Sequence, residues 1–156
     1  MDAITLQRIE LLHPKVQNEA LELYKEICQA LGNNVICRFT HTFRSFDEQN
    51  DLYAKGRTIK GQKVTNARAG ESFHNWGLAI DITLIKDGKA VWDRGTDFDR
   101  DGQKDWMEVV KIFNKYGWFW GGNFRTFKDY PHFEKAFGYT CKQLEAKPRI
   151  GNYPAI

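Results

Sequence analysis

In the run Leu78-Ala79-Ile80-Asp81-Ile82-Thr83-Leu84, the even-numbered residues are large and apolar, while Ala79, Asp81 and Thr83 fall together on the other side. Side chains alternate across a strand, so this run reads as a β-strand with one face on a core and Asp81 pointing away from it. A carboxylate in so apolar a strand is costly unless it is paired or bound to a cation. The spacing therefore asks for a partner to Asp81 as well as for a sheet.

The remaining elements are read around this strand. Thr5 to Leu12 forms a short helix that stops near His13-Pro14. A second helix runs from Pro14 to Ala30, with Leu21, Tyr24, Ile27 and Cys28 along one face, Pro in its first turn and Gly32 just past its end. Val35 to Phe43 is β-branched and aromatic and forms a strand. Ser45 caps a helix from Phe46 to Lys55, with Glu48 as its capping-box partner. Gly56 to Gly70 is a loop, Gly77 to Ile85 the clearest strand, and Lys86-Asp87-Gly88-Lys89 a hairpin turn leading into Ala90 to Trp92. An acidic loop, Asp93 to Gly102, precedes a helix from Lys104 to Tyr116, and Gly117 to Trp120 and Tyr130 to Glu134 are short strands. The sum is a single α+β domain over residues 1–156, a small antiparallel sheet with helices packed on one side.

Bulk properties narrow the function. With 156 residues the chain is long enough for one real core. A net charge of +3, with basic residues scattered, gives no stripe for nucleic acid. No apolar run approaches the roughly 20 residues of a membrane span, and no secretory signal opens the chain, so synthesis as a soluble cytoplasmic protein is expected. Cys28, Cys37 and Cys141 are an odd number without CxxC spacing, which suits reduced thiols rather than a disulfide framework.

Chemistry concentrates in two segments, Ser72 to Asp81 and Asp129 to Glu134. The first holds His74 and Asp81, separated by a turn at Asn75-Trp76-Gly77, where glycine admits conformations other residues resist. The turn folds His74 back beside Asp81, and His132 joins them from a neighbouring strand. Two imidazoles and a carboxylate with an open fourth position form a catalytic zinc site. The plainer alternative is a buried His–Asp hydrogen bond beside an unrelated histidine. Asp129 is the preferred general base, and Glu134 offers the same chemistry. If Pro131 to Glu134 is a strand, Glu134 shares the face of His132 and orients that ligand. Trp76, Trp118 and Trp120 either wall a substrate groove or belong to the core.

These residues resemble the zinc peptidases of the LAS group, named for lysostaphin, D-alanyl-D-alanine carboxypeptidases and sonic hedgehog. The pattern SxHxxGxAxD is met by Ser72, His74, Gly77, Ala79 and Asp81, and the acidic residue three before a histidine by Asp129 and His132. The likeness extends to Arg8 through Pro14 and to Phe43 through Thr58, and is closest to single-domain L-alanyl-D-glutamate endopeptidases, many of them phage endolysins. It implies zinc ligands at His74, Asp81 and His132, a base at Asp129, and an arginine at Arg44 aimed at the scissile carbonyl or its oxyanion. It also implies substrate contact near Ser72, Gln49 and Trp76, with Gln49 supporting Arg44.

A separate signal lies in Asp97-Phe98-Asp99-Arg100-Asp101-Gly102-Gln103-Lys104-Asp105-Trp106-Met107-Glu108. Asp97, Asp99, Asp101, Asp105 and Glu108 occupy positions 1, 3, 5, 9 and 12 of a calcium loop, with Gly102 at 6 and Gln103 at 7. The alternative is a solvated acidic turn at a helix start.

The expectation is a monomeric zinc peptidase cutting the stem peptide of peptidoglycan between L-Ala and D-Glu, with Ca2+ as a second ion and a holin-type release to the wall. A D-alanyl-D-alanine carboxy- or dipeptidase is the runner-up, and a non-catalytic zinc-binding domain of hedgehog type the third reading.

Overall fold

A computed structural model describes all 156 residues. Helix α1 spans Ala3–Ile9 and α2 spans Pro14–Leu31, followed by β1 (Ile36–His41) and α3 (Phe46–Ala54). Strand β2 (Ala79–Lys86) and β3 (Lys89–Val91) form a hairpin, and α4 (Asp105–Lys115) follows the acidic loop. Then come β4 (Phe119–Trp120), β5 (His132–Glu134), α5 (Cys141–Glu145) and a small hairpin of β6 (Arg149–Ile150) and β7 (Tyr153–Pro154).

Strand order is β1-β2-β5-β4, with β3 also paired to β2, and every pairing is antiparallel. The alternation expected of β2 is realised. Ile80, Ile82 and Leu84 are buried with Cys37 and Phe39 of β1 and Phe133 of β5, against Val16, Ala20, Leu23 and Ile27 of α2 and Val109 and Phe113 of α4. Asp81 and Thr83 take the other face, which the cavity described below occupies. The buried stripe of α2 runs through Ala20, Leu23, Tyr24 and Ile27, so Leu21 and Cys28, expected on the same face as Tyr24 and Ile27, sit at its margin.

Local signals position the ends. Ser45 and Glu48 close a reciprocal capping box at α3. Asp87 and Gly88 both have positive φ, the two-residue turn that matches strand twist. Helix α1 starts two residues earlier than Thr5 because the Asp2 side chain accepts from Thr5 N. The expected turn at Asn75-Trp76-Gly77 is a 3-10 turn over Phe73–Trp76 closed by Gly77, whereas the C-terminal elements α5, β6 and β7 carry too few residues for periodicity and were not anticipated. All three cysteines are free, as expected, and no helix is long and apolar enough to cross a membrane.

Asp2 also receives Arg38 in bidentate fashion, at 3.0 and 2.8 Å, and Thr5 Oγ1 at 2.7 Å. The Arg38 hydrogen bond outweighs burial and lowers the Asp2 carboxyl from 3.8 to about 2. A group whose folded value is depressed adds stability above its unfolded value and loses it as pH falls through the folded one. Asp2→Asn is therefore expected to cost about 2 kcal/mol at pH 7, a gap that closes between pH 4 and about 2 in urea unfolding curves. A gap that persists at pH 2 would assign the loss to packing instead.

Candidate metal centre

The register of the sheet builds the site. Asp81 of β2 pairs directly with His132 of β5, so their side chains leave the same face side by side. His74 comes from the 3-10 turn, which Gly77 closes in the left-handed region at φ 69°. Any Cβ at Gly77 would lie 2.6 Å from His13 N, and His13 N donates to Gly77 O at 2.9 Å. The Leu12-His13-Pro14 segment is thus the floor on which the His74 turn rests.

His74 Nε2 lies 3.2 Å from Asp81 Oδ2, and His132 Nδ1 lies 3.1 Å from Asp81 Oδ1. Ligand atoms of the three residues all fall within 4.8 Å of one another. The second nitrogens are fixed from behind. His74 Nδ1 is 2.7 Å from Thr42 O, and a carbonyl can only accept, so this nitrogen carries the proton. His74 Nε2 then presents a lone pair. It is buried without a hydrogen-bond partner, although it faces the carboxylate. Two acceptors held this close repel unless a cation sits between them. His132 Nε2 is 2.8 Å from Glu134 Oε1, which gives Glu134 the orienting role expected for it.

Charge within the trio points the same way. Burial would push Asp81 up, but its imidazole neighbours His74 and His132 hold it well below the carboxylate range. Burial would lower His132, yet Asp81 and Glu134 raise it to about 10. An imidazole that keeps a proton between two carboxylates occupies a place suited to a divalent ion.

The trio opens on a cavity of about 260 Å³, whose walls include His41, Arg44, Val64, Thr65, Ser72 and Asp129. Arg44 NH2 stands 4.0 Å from Asp81 Oδ2. Burial lowers the Arg44 guanidinium from its ordinary value, yet arginine remains a cation throughout the physiological range. Asp129 is raised, first by burial and then by the charge of Asp81. A tight turn sets its position: Asp129 N donates to Gly121 O, and His132 N to Asp129 O. Asn75 ties the assembly together, donating to Arg44 O at 3.0 Å and accepting from Gly70 N at 3.1 Å.

Two expected substrate contacts are corrected. Gln49 is fully buried and reaches Arg44 Nη1 at 3.1 Å and Ala67 O at 2.8 Å, so it braces Arg44 as expected but does not meet the cavity. Trp76 is fully buried in the core, edge-on to Phe46 with Arg149 over its ring at 4.4 Å. Trp118 and Trp120 are likewise core. Ser72 does line the cavity, with its Oγ accepting from His74 N. His41 lines it too and was not anticipated.

The acidic loop forms two overlapping trios, Asp97–Asp99–Asp101 and Asp99–Asp105–Glu108. Asp105 is 0 % and Glu108 8 % exposed, and Asp105 Oδ1 and Glu108 Oε2 have no partner. Burial, with the charges of Asp101 and Asp99, pushes Glu108 up to about 7. Gln103 is exposed, and its backbone N donates to Asp101 Oδ1.

A His–Asp–His trio on the face of a small antiparallel sheet opposite its core, open to a cavity with an arginine and a second carboxylate, defines a metallopeptidase. Comparison with known proteins agrees. Residues 65–135 match a family described as D-alanyl-D-alanine carboxypeptidase, a peptidase M15 family. Over 124 residues the chain is 49% identical to the peptidoglycan L-alanyl-D-glutamate endopeptidase CwlK of Bacillus subtilis (strain 168), an alignment covering 79% of this chain and 72% of that protein. The crystal structure of the Serratia marcescens L-Ala D-Glu endopeptidase ChiX shares the fold, with a TM-score of 0.57, 20% identity, and coverage of 88% of this chain and 90% of ChiX. The chain belongs to the M15 family of metallopeptidases.

Proposed function

We propose that this chain is a zinc-dependent endopeptidase that cleaves the L-Ala–D-Glu bond of peptidoglycan stem peptides. The observation that carries the reading is His74 Nε2, buried without a hydrogen-bond partner 3.2 Å from a carboxylate oxygen, with His132 Nδ1 on that carboxylate's other oxygen. The substrate follows from the relative at 49% identity, whose name states that activity.

His74, Asp81 and His132 would hold the ion, a donor set of two imidazoles and one carboxylate that leaves a position open, as catalytic zinc requires. Zinc there supplies Lewis acidity and brings the pKa of a water down to about 7. Asp129, raised by burial and by Asp81, accepts a proton from the attacking water and delivers it to the departing amine of D-Glu. Arg44, braced by Gln49, offers fixed N–H donors to the oxyanion on the scissile carbonyl. Val64 and Thr65 of the 56–70 loop wall the cavity and position the peptide.

The carboxypeptidase description of the matched family supports a second reading, release of terminal D-Ala at the same centre. Digestion of purified murein separates the two. New D-Glu amino termini and L-Ala carboxyl termini are expected, whereas free D-Ala without them would overturn the endopeptidase reading.

The acidic loop supports calcium as a second ion, because two buried carboxylate oxygens, Asp105 Oδ1 and Glu108 Oε2, turn into a cluster with no donor to meet them. At a hundredfold excess over its dissociation constant, calcium is expected to raise the melting temperature by about 5–10 °C with zinc held saturating. Asp99 belongs to both trios, so Asp99→Asn should abolish that shift. A wild-type melt indifferent to calcium would leave the loop as a solvated turn.

A further inference from the structure

Strand β1 runs in regular register with β2 as far as Phe39, which pairs with Ile82; the next pair is His41 with Asp81. Two residues of β1 thus stand against one of β2, a β-bulge. Under strict alternation position 41 would share the core face of Cys37 and Phe39. The extra residue turns it to the face of Asp81 instead. Its side chain is 61% exposed and lines the cavity, with Nδ1 3.9 Å from Asp81 Oδ2, too long for a hydrogen bond.

Helix α1 clamps the bulge on both sides. Arg8 NH1 donates to Phe39 O at 2.6 Å, Thr5 Oγ1 accepts from Phe39 N at 3.0 Å, and Thr42 Oγ1 donates to Arg8 O at 2.7 Å. The displaced register is therefore a built feature, and bulges beside active sites serve to re-aim a side chain.

The scissile bond, on the endopeptidase reading above, joins L-Ala to the nitrogen of a D-Glu that continues through its γ-carboxyl. Its α-carboxylate is then free, one carbon from the reacting nitrogen, and must lie inside this cavity. Asp81 and Asp129 repel it, and Arg44 is committed to the scissile carbonyl. The oxygens of Ser72 and Thr65 accept from His74 N and Ala67 N, which holds both side chains against their own loops and leaves each a single O–H. His41 is the nitrogen donor that the bulge brings to this cavity from an exposed position, and an imidazole carries at least one N–H in either charge state.

We propose that His41 is a specificity-determining residue that donates a hydrogen bond to the free α-carboxylate of the D-Glu following the scissile bond. The proposal rests on the endopeptidase reading and is tested with two stem peptides, one containing D-Glu and one with γ-aminobutyrate in its place, which keeps the chain and deletes the carboxylate. His41→Ala is expected to raise KM for the D-Glu peptide about tenfold or more, the worth of a hydrogen bond to a charged group, with kcat and zinc content unchanged. On the γ-aminobutyrate peptide the change should stay below about twofold, and His41→Gln, which keeps an N–H, should recover most of the loss. Equal losses on both peptides, or none on either, would overturn the role of His41 while leaving the endopeptidase intact. A zinc-loaded wild type that cuts neither peptide would overturn the endopeptidase reading itself.

Discussion

Asp81→Ala is expected to yield a folded protein that no longer retains zinc through dialysis and no longer hydrolyses murein. Asp81 is the hinge of the site: one oxygen faces His132 Nδ1 at 3.1 Å and the other faces His74 Nε2 at 3.2 Å. A complete structural zinc site is worth roughly 10–16 kcal/mol, so losing one of three side-chain ligands costs several kcal/mol and lowers affinity on the order of a thousandfold. The core should survive, because Asp81 points away from Ile80 and Ile82, which are both fully buried. Metal analysis of the dialysed variant beside its far-ultraviolet circular dichroism checks both halves. A folded variant holding one equivalent of zinc would remove Asp81 from the ligand set.

What the sequence made legible follows from how local each determinant is. The face of Asp81 is a property of one strand, and alternation gives it directly. The return of His74 depends on one glycine in the left-handed region, and Gly77 supplies it. The pairing of Asp81 with His132 joins residues 51 apart through a strand of three residues, too short to show a period, so the ligand types suggested it and the family likeness strengthened it, but alternation could not give its register. His41 stayed hidden because alternation misplaces it, the bulge being set by α1 contacts more than 30 residues away in sequence. Gln49 and Trp76 neighbour the motifs in sequence, yet their directions depend on helix phase and on Arg149 from a C-terminal hairpin that periodicity cannot reveal. Type and order of the main elements were thus readable, whereas long-range aim was not.

That distinction matters most for the choice of base, since Asp129 and Glu134 both carry carboxylates beside His132. Their surroundings separate them. Glu134 is held to His132 Nε2 at 2.8 Å, so Glu134→Gln should weaken zinc binding by about 10–100-fold and, once zinc is saturating, leave kcat nearly intact. Asp129 is outside the ligand trio and faces the cavity. Asp129→Asn keeps the shape of the side chain and removes its basicity, and kcat is expected to fall by about 10²–10⁴-fold with zinc content unchanged. Burial and Asp81 raise the Asp129 carboxyl above the ordinary 3.8, so the wild-type rate should fall on the acid side as Asp129 takes up a proton. That acid limb should be missing from the residual rate of Asp129→Asn. Zinc-saturated Asp129→Asn with wild-type kcat, or with the same acid limb, would give the proton transfer to another group.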